Sequence, residues 1–400
     1  MRRDLQTLFV NVGHFVDHLY MLIFPTAVLA MGPAFDASWN ELLQLSFGGF
    51  VAFGACSLPA GWLGDRWSRW GMMVVFFVGI GVATCLVGLA QSTTQLFLAL
   101  TLIGVFGAIY HPVGIAMIVA DPARLGRALG VNGVWGNLGL AFAALVAGAL
   151  VEVAGWRAAF LVPGIVAIAL GIAFAIFVPR DAAGTKRSAR GIRLSRSVMI
   201  RVFAVLLVAT SMGGLIFNGL TVSMPKIFAE RITVLGGWTL GIGALVCLVY
   251  VFAAVAQLIV GRFIDRYPMR SVFIPVTVAQ APLLLLAVSL EGWPLVAVSL
   301  ALMFVVFGQI PINDAIVARY TDAGWRSRVY ALRYVVSFGA SSLAVPMVAG
   351  LHGGTGFAPV FLALAAMGAA TALAALFFPA VAREERVPPV DTTAPVARAG

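Results

Sequence analysis

The sequence predicts an all-α polytopic membrane protein, with 12 transmembrane helices in two pseudo-symmetric six-helix bundles. Three observations predict it. Apolar residues make up 61% of the 400 and charged residues only 10%, against about 25% charged in a soluble domain. Twelve apolar runs are each long enough to cross a bilayer, which takes about 20 residues as a helix. The third is a charged decapeptide that occurs once in each half. Gly61 to Trp70 reads GWLGDRWSRW and Gly261 to Arg270 reads GRFIDRYPMR, so Gly61, Asp65, Arg66 and Trp67 recur as Gly261, Asp265, Arg266 and Tyr267. Each copy lies between long apolar runs, where a buried charge is costly, and is expected to be a loop at the membrane surface. Repeated halves are the usual construction of a secondary transporter.

In chain order the spans are expected at about 7–30, 40–61, 71–90, 94–118, 128–152, 158–178, 200–225, 237–260, 272–290, 294–316, 329–350 and 356–379. The first carries Asn11, His14, Asp17 and His18 and no small-residue cleavage pattern, which separates it from a signal peptide. Residues 1–178 form one half and 200–382 the other. The stretch 179–199 between them is basic and without apolar periodicity, a linker suited to anionic lipid. Residues 383–400 are rich in Pro, Ala and charge and are expected to be a disordered tail. Pro25, Pro112, Pro163, Pro275, Pro311 and Pro346 fall inside spans and Pro225 closes the seventh. Membrane helices tolerate such kinks because neighbours re-satisfy the freed carbonyls. Gly130, Gly133, Gly136 and Gly139 open the fifth span, and Gly236, Gly237, Gly241 and Gly243 the eighth; small residues there are expected to let helices pack closely.

The net charge of +10 and sequence pI of about 10.2 would suggest nucleic acid in a soluble protein. Here their placement decides. With the N-terminus inside and every run crossing once, all 26 basic residues except Arg157, Lys226 and Arg231 fall in cytoplasmic segments or helix ends. Cationic loops stay inside, so both termini are expected in the cytoplasm of a bacterial cell, with the chain in its inner (plasma) membrane. Nucleic acid is not an expected partner; the lipid bilayer is. Cys56, Cys85 and Cys247 lie singly in apolar runs, as packing residues do. No nucleotide-binding loop of the G-x-x-x-x-G-K-[ST] type and no HExxH or Cys/His cluster occurs in the sequence. No cofactor, no metal and no enzyme activity are expected, and the chain is expected to be a monomer.

Twelve spans, a basic central loop and the duplicated G-x-L-x-D-R hairpin resemble the major facilitator superfamily over essentially the whole chain. That resemblance implies a conformational latch of Gly61, Asp65, Arg66 and Arg69 at the cytoplasmic helix ends. Gly261, Asp265 and Arg266 would be a degraded second copy, with Phe263 in place of Leu. It also implies that the eleventh span, which begins after Arg326 and Arg328, is a partner of the latch, and that spans one, four, seven and ten line a central cavity. The stretches GHFVDHLYMLIFP from Gly13 and GAIYHPVG from Gly107 look like the H-F-x-N-D-x-Y and F-H-P-x-G patterns of fosmidomycin-resistance-like efflux proteins. Asp17 and His18 stand where that group has Asn then Asp, Thr101 replaces the common fourth-span Arg, and the antiporter Gly-Pro pattern of the fifth span is missing.

Asn11, His14 and His18 follow i, i+3, i+7 with Asp17 adjoining, one polar face on the first helix. Asp17 lies about ten residues in, roughly 15 Å, near the bilayer midplane, and Tyr110 and His111 reach similar depth in span four. An Asp facing lipid costs about 2.5–3.5 kcal/mol, so this face must point into the bundle or a wet cavity. Two readings stay open: a set that exchanges protons as the cavity opens, or a hydrogen-bonded network that holds the half together. His352 is expected to be solvated in an outer loop. In the second half Gln309, Asn313 and Asp314 sit near Pro311, with Arg333 at a depth that suits an ion pair with Asp314; Asn218 is a candidate cavity hydrogen-bonder. The expected function is alternating-access transport of a small organic molecule, as proton-coupled efflux. Uptake symport of a small metabolite, and a transporter-like membrane sensor or lipid-handling protein, are the alternatives.

Overall fold

In the computed structural model, which describes residues 2–118, 125–180, 196–320, 333 and 335–380, twelve helical segments are long and apolar enough to span a membrane. They are α1 Asp4–Ala30, α2 Trp39–Arg66, α3 Arg69–Leu89, α4 Thr93–Ile118, α5 Gly130–Ala154, α6 Ala158–Phe177, α7 Ser197–Arg231, α8 Thr239–Arg266, α9 Met269–Ala287, α10 Gly292–Val317, α11 Val335–His352 and α12 Ala358–Leu376. The chain is a multi-pass membrane protein of two six-helix bundles, and the described residues include no strand. Arg326, Arg328, most of the expected linker and the expected tail lie outside the described residues.

Local chemistry sets the ends. Before α2, Ser38 accepts from the Glu41 backbone N–H while the Glu41 carboxylate accepts from that of Ser38, a capping box. The duplicated hairpins differ from the expected loops: Asp65–Arg66 and Asp265–Arg266 close the helices α2 and α8. In the first copy only Trp67 and Ser68 turn, and the Ser68 hydroxyl accepts from Gly71 N–H to start the next helix. The α7 helix runs through Pro225 to Arg231 rather than ending at the proline. Helical continuity is interrupted at Leu45–Ser46, with no proline close behind, and at Ile23, at Ala108–Ile109, at Ala279 and at Leu343, these four each two to four residues before a proline (Pro25, Pro112, Pro282 and Pro346). A proline ring clashes with the carbonyl of residue i−4 and offers it no N–H, so the helix is interrupted one turn upstream.

The bundles meet along two seams. On α5/α8 a Cβ at Gly243 would collide with the Ala144 carbonyl, and one at Gly148 with that of Thr239, so the backbones touch. Asn137 Nδ2 donates to Gln257 Oε1 at 3.1 Å and Gln257 Nε2 returns a bond to Asn137 Oδ1 at 3.3 Å. On α2/α11, Phe53 meets Phe338 edge-on at 5.0 Å between centroids, and a Cβ at Gly54 would lie 3.1 Å from that of Phe338. His352, expected to be solvated, is instead 9% exposed. Its Nδ1 is 2.9 Å from Asn40 Oδ1 of α2 and its Nε2 is 3.0 Å from Glu230 Oε1 of α7. A helix end that packs against the other bundle is no loop: one ring nitrogen meets α2 across the seam and the other meets α7 of its own bundle. Gly136 and Gly139 of α5 are packed against α1, whereas nothing lies within 4 Å of a Cβ at Gly130 or Gly133; only half of that glycine row serves close packing.

Candidate functional site

The break in α4 turns Tyr110 and His111 toward α1, and the i, i+4 spacing of His14 and His18 puts both on the facing side. The expected polar residues of the first half therefore meet. His14 Nδ1 donates to the Asn132 carbonyl of α5 at 2.8 Å, which leaves its Nε2 as an acceptor, 3.1 Å from His18 Nε2. Tyr110, fully buried, stacks on His14 with centroids 4.8 Å apart and donates its hydroxyl to the Val10 carbonyl at 3.0 Å. Asn132 Nδ2 reaches both Tyr110 Oη at 2.7 Å and Asn11 Oδ1 at 3.0 Å. Asp17 is 0% exposed. Its Oδ2 lies 3.4 Å from His111 Nε2, yet neither carboxylate oxygen has a hydrogen-bond partner among the described residues. Gly107 of α4 makes room for it, since a Cβ there would stand 3.2 Å from Asp17 Oδ1.

Asn132 and Gly136 are central to this cluster and were not singled out for it in the sequence. Asn132 sits on a different span from every residue it bonds, and Gly136 had only its place in a glycine row. A Cβ at Gly136 would lie 2.5 Å from His14 Nε2.

The second half is arranged differently. Gln280 Nε2 donates to Gln309 Oε1 at 2.6 Å, and Gln309 Nε2 donates to the Ala209 carbonyl at 3.0 Å, tying α9, α10 and α7. Arg333 pairs with Asp314 as their depths suggested. Asn218 Nδ2 donates to the Ser341 carbonyl of α11 at 2.6 Å, and Asn313 is 7% exposed. At the hairpins, Arg69 donates to Asp65 at 2.7 Å, Arg66 lies over the Trp62 ring at 5.1 Å and Gly61 packs against Pro112. In the second copy Asp265 is 3.5 Å from Arg319, whose guanidinium also donates to the Ile264 carbonyl at 3.0 Å. Arg319, just past α10, was counted in the sequence only among the basic residues. Arg266 lies over Tyr267 at 5.8 Å, and nothing stands within 4 Å of a Cβ at Gly261.

Two six-helix bundles meeting at paired seams, with polar clusters buried inside, are an architecture that secondary transporters use. Residues 11–251 match the model of the major facilitator superfamily, and the chain belongs to that family. It is 35% identical over 147 residues to a puromycin resistance protein of Streptomyces alboniger, covering 36% of this chain and 28% of that one. It is 29% identical over 171 residues to a tetracenomycin C resistance and export protein of Streptomyces glaucescens, covering 41% and 31%. The chain thus aligns with about a third of the length of these relatives. Among solved structures it resembles a bacterial homologue of the human lysosomal transporter Spinster, inward-facing and occupied, with TM-score 0.75 at 14% identity over 94% of both chains. A D-xylose–proton symporter matches with TM-score 0.74 at 14% identity over 95% of this chain and 98% of the other. At such identity these structures speak for the fold.

Proposed function

We propose that this transporter exports a small organic molecule by alternating access, driven by protons re-entering across a bacterial inner membrane. The observation that supports coupling is Asp17: a carboxylate at the middle of a span, fully buried, beside His111 and without a hydrogen bond. Such a group is costly to keep ionised in a closed, dry bundle and readily exchanges a proton when the cavity admits water. Support for export comes from the resistance and export proteins to which part of the chain is similar. Asn11, His14, His18, Tyr110 and His111 would line the coupling site, with Asn218, Gln309, Asn313, Asp314 and Arg333 facing it from the second half. Gly61, Asp65, Arg66 and Arg69, with Gly261, Asp265 and Arg266, would latch the cytoplasmic ends in one conformational state, both termini being cytoplasmic and the chain acting as a monomer.

The test uses proteoliposomes with a pH-sensitive dye inside and a panel of amphiphilic drugs and metabolites outside. Wild type is expected to show substrate-dependent proton flux under an imposed gradient, and Asp17→Asn to lose it. Full proton-coupled flux in Asp17→Asn would sink the coupling assignment; exchange of substrate without proton movement would make the protein a uniporter or exchanger.

A further inference from the structure

Three of the chain's four histidines come together at one point. His14 and His18 project from consecutive turns of α1, and His111 joins them from the first turn after the α4 break. One ring nitrogen of each lies within 4.8 Å of the other two. We propose that His14, His18 and His111 form a binding site for a divalent d-block cation of the zinc type, with Asp17 as its charge-compensating carboxylate.

The geometry supports this at each residue. In a tetrahedral zinc site with Zn–N near 2.0–2.1 Å, ligand nitrogens stand about 3.3 Å apart; His14 Nε2 and His18 Nε2 are 3.1 Å apart, so the pair already has the bite such an ion needs. The tautomer is set as well. A ligating imidazole characteristically donates its other N–H to a backbone carbonyl or carboxylate, which orients the ring and raises its basicity. His14 does this through Nδ1 to the Asn132 carbonyl at 2.8 Å, and its Nε2 lone pair is directed at the other rings. Gly136 keeps that nitrogen clear, since any side chain there would begin 2.5 Å from it.

Asp17 is a second, independent indication. Its carboxylate is fully buried, neither oxygen accepts a hydrogen bond, and Oδ2 points to His111 Nε2 at 3.4 Å. A buried anion left this way is expensive, and a cation held by three neutral imidazoles beside it removes that cost. Imidazole-rich sites select zinc, copper, nickel or cobalt over magnesium and calcium, which require oxygen ligands. The i, i+4 pair and the matching depth of His111 were visible in the sequence; that the three ring nitrogens converge was not, because the third comes from another span.

Cobalt(II) alone is the probe, titrated into the purified full-length protein in detergent and read by its optical d–d bands. Binding of one ion per chain with the intense bands of four-coordinate cobalt, reversed by zinc and untouched by excess magnesium, is expected. His18→Ala and His111→Ala should each abolish those bands. Asp17→Asn, which keeps the shape and removes the charge, should weaken binding about 10–100-fold, as loss of an outer-shell partner does. His352→Gln, which alters the one histidine outside the cluster, should leave it intact. Zinc should raise the melting temperature of wild type and of His352→Gln but not of His111→Ala, a linkage effect that needs no transport. No cobalt binding, weak bands of six-coordinate type, or bands that survive in correctly folded His18→Ala and His111→Ala would overturn the proposal. The outcome is separable from the coupling reading: cobalt can bind a protein whose Asp17→Asn variant still moves protons, and the reverse.

Discussion

In the first half Asp17 is wholly enclosed and none of its oxygens accepts a hydrogen bond, whereas in the second half the Asp314 side chain is 44% exposed and is paired with Arg333. The two carboxylates are therefore held in opposite ways, one buried without compensation and one wetter and neutralised. Around them the contrast continues. The glutamine relay of α9 and α10 ends on a backbone carbonyl, a strut that ties three helices. The histidine cluster of α1 and α4 instead brings three imidazoles and the Asp17 carboxylate to one place. Duplicated halves thus need not be built alike: the first gathers its buried polar side chains at one point, and the second uses its glutamines to tie helices together.

This contrast makes its largest prediction in stability. Asp314→Ala leaves Arg333, 10% exposed at its side chain, without its carboxylate. Breaking a buried pair costs about 3–5 kcal/mol; with Asp314 half in water the loss is expected to be on the order of 1–3 kcal/mol. Asp17→Asn should instead leave the melting temperature unchanged or raise it, and equal destabilisation by both variants would erase the distinction. Next, Gly136→Ala drives a methyl against His14 and is expected to cost about 1–2 kcal/mol as overpacking, while Gly133→Ala, with open space around its Cβ, should gain about 0.5–1 kcal/mol from helix propensity. A smaller effect is expected at the α2/α11 seam. His352→Ala removes both bonds to Asn40 and Glu230, worth about 1 kcal/mol together. Distances between spin labels at Glu41 and Thr355 should then broaden toward longer values, and an unchanged distribution would show that the seam closes without it. Smallest is the glycine pair of the repeated hairpins. Gly61→Ala meets Pro112 at 3.1 Å and should be mildly destabilising; Gly261→Ala meets nothing and should gain about 0.5–1 kcal/mol from helix propensity, which a paired melting experiment would resolve.

Much of the fold was legible because its signals are local. An apolar run is a property of neighbouring residues, and so are the upstream breaks before Pro25 and Pro112. The repeated hairpin was legible as a pair of membrane-surface charges, yet its helical character was not. A helix can carry its last charged turn beyond the hydrocarbon, and composition alone does not separate that turn from a loop. The candidate cluster was half legible: Asn11, His14, Asp17 and His18 share a face by spacing. Asn132, Gly136 and Arg319 were missed because their roles exist only through contacts between spans, and no spacing in one span encodes its neighbour. His352 was misplaced for the same reason, since a polar residue beside glycines at a span end looks like a loop until the opposite bundle covers it.

The α5/α8 seam has a mechanical consequence. Where Gly148 and Gly243 bring bare backbone against backbone, no side chains interlock, so a sliding of α5 past α8 would meet no rotamer step at those two points. Asn137 and Gln257, joined by reciprocal amide hydrogen bonds of 3.1 and 3.3 Å, hold the two helices in register at one point, because two such bonds are directional. The seam is smooth at its glycines and pinned at its amides, which puts the resistance to such sliding at Asn137 and Gln257.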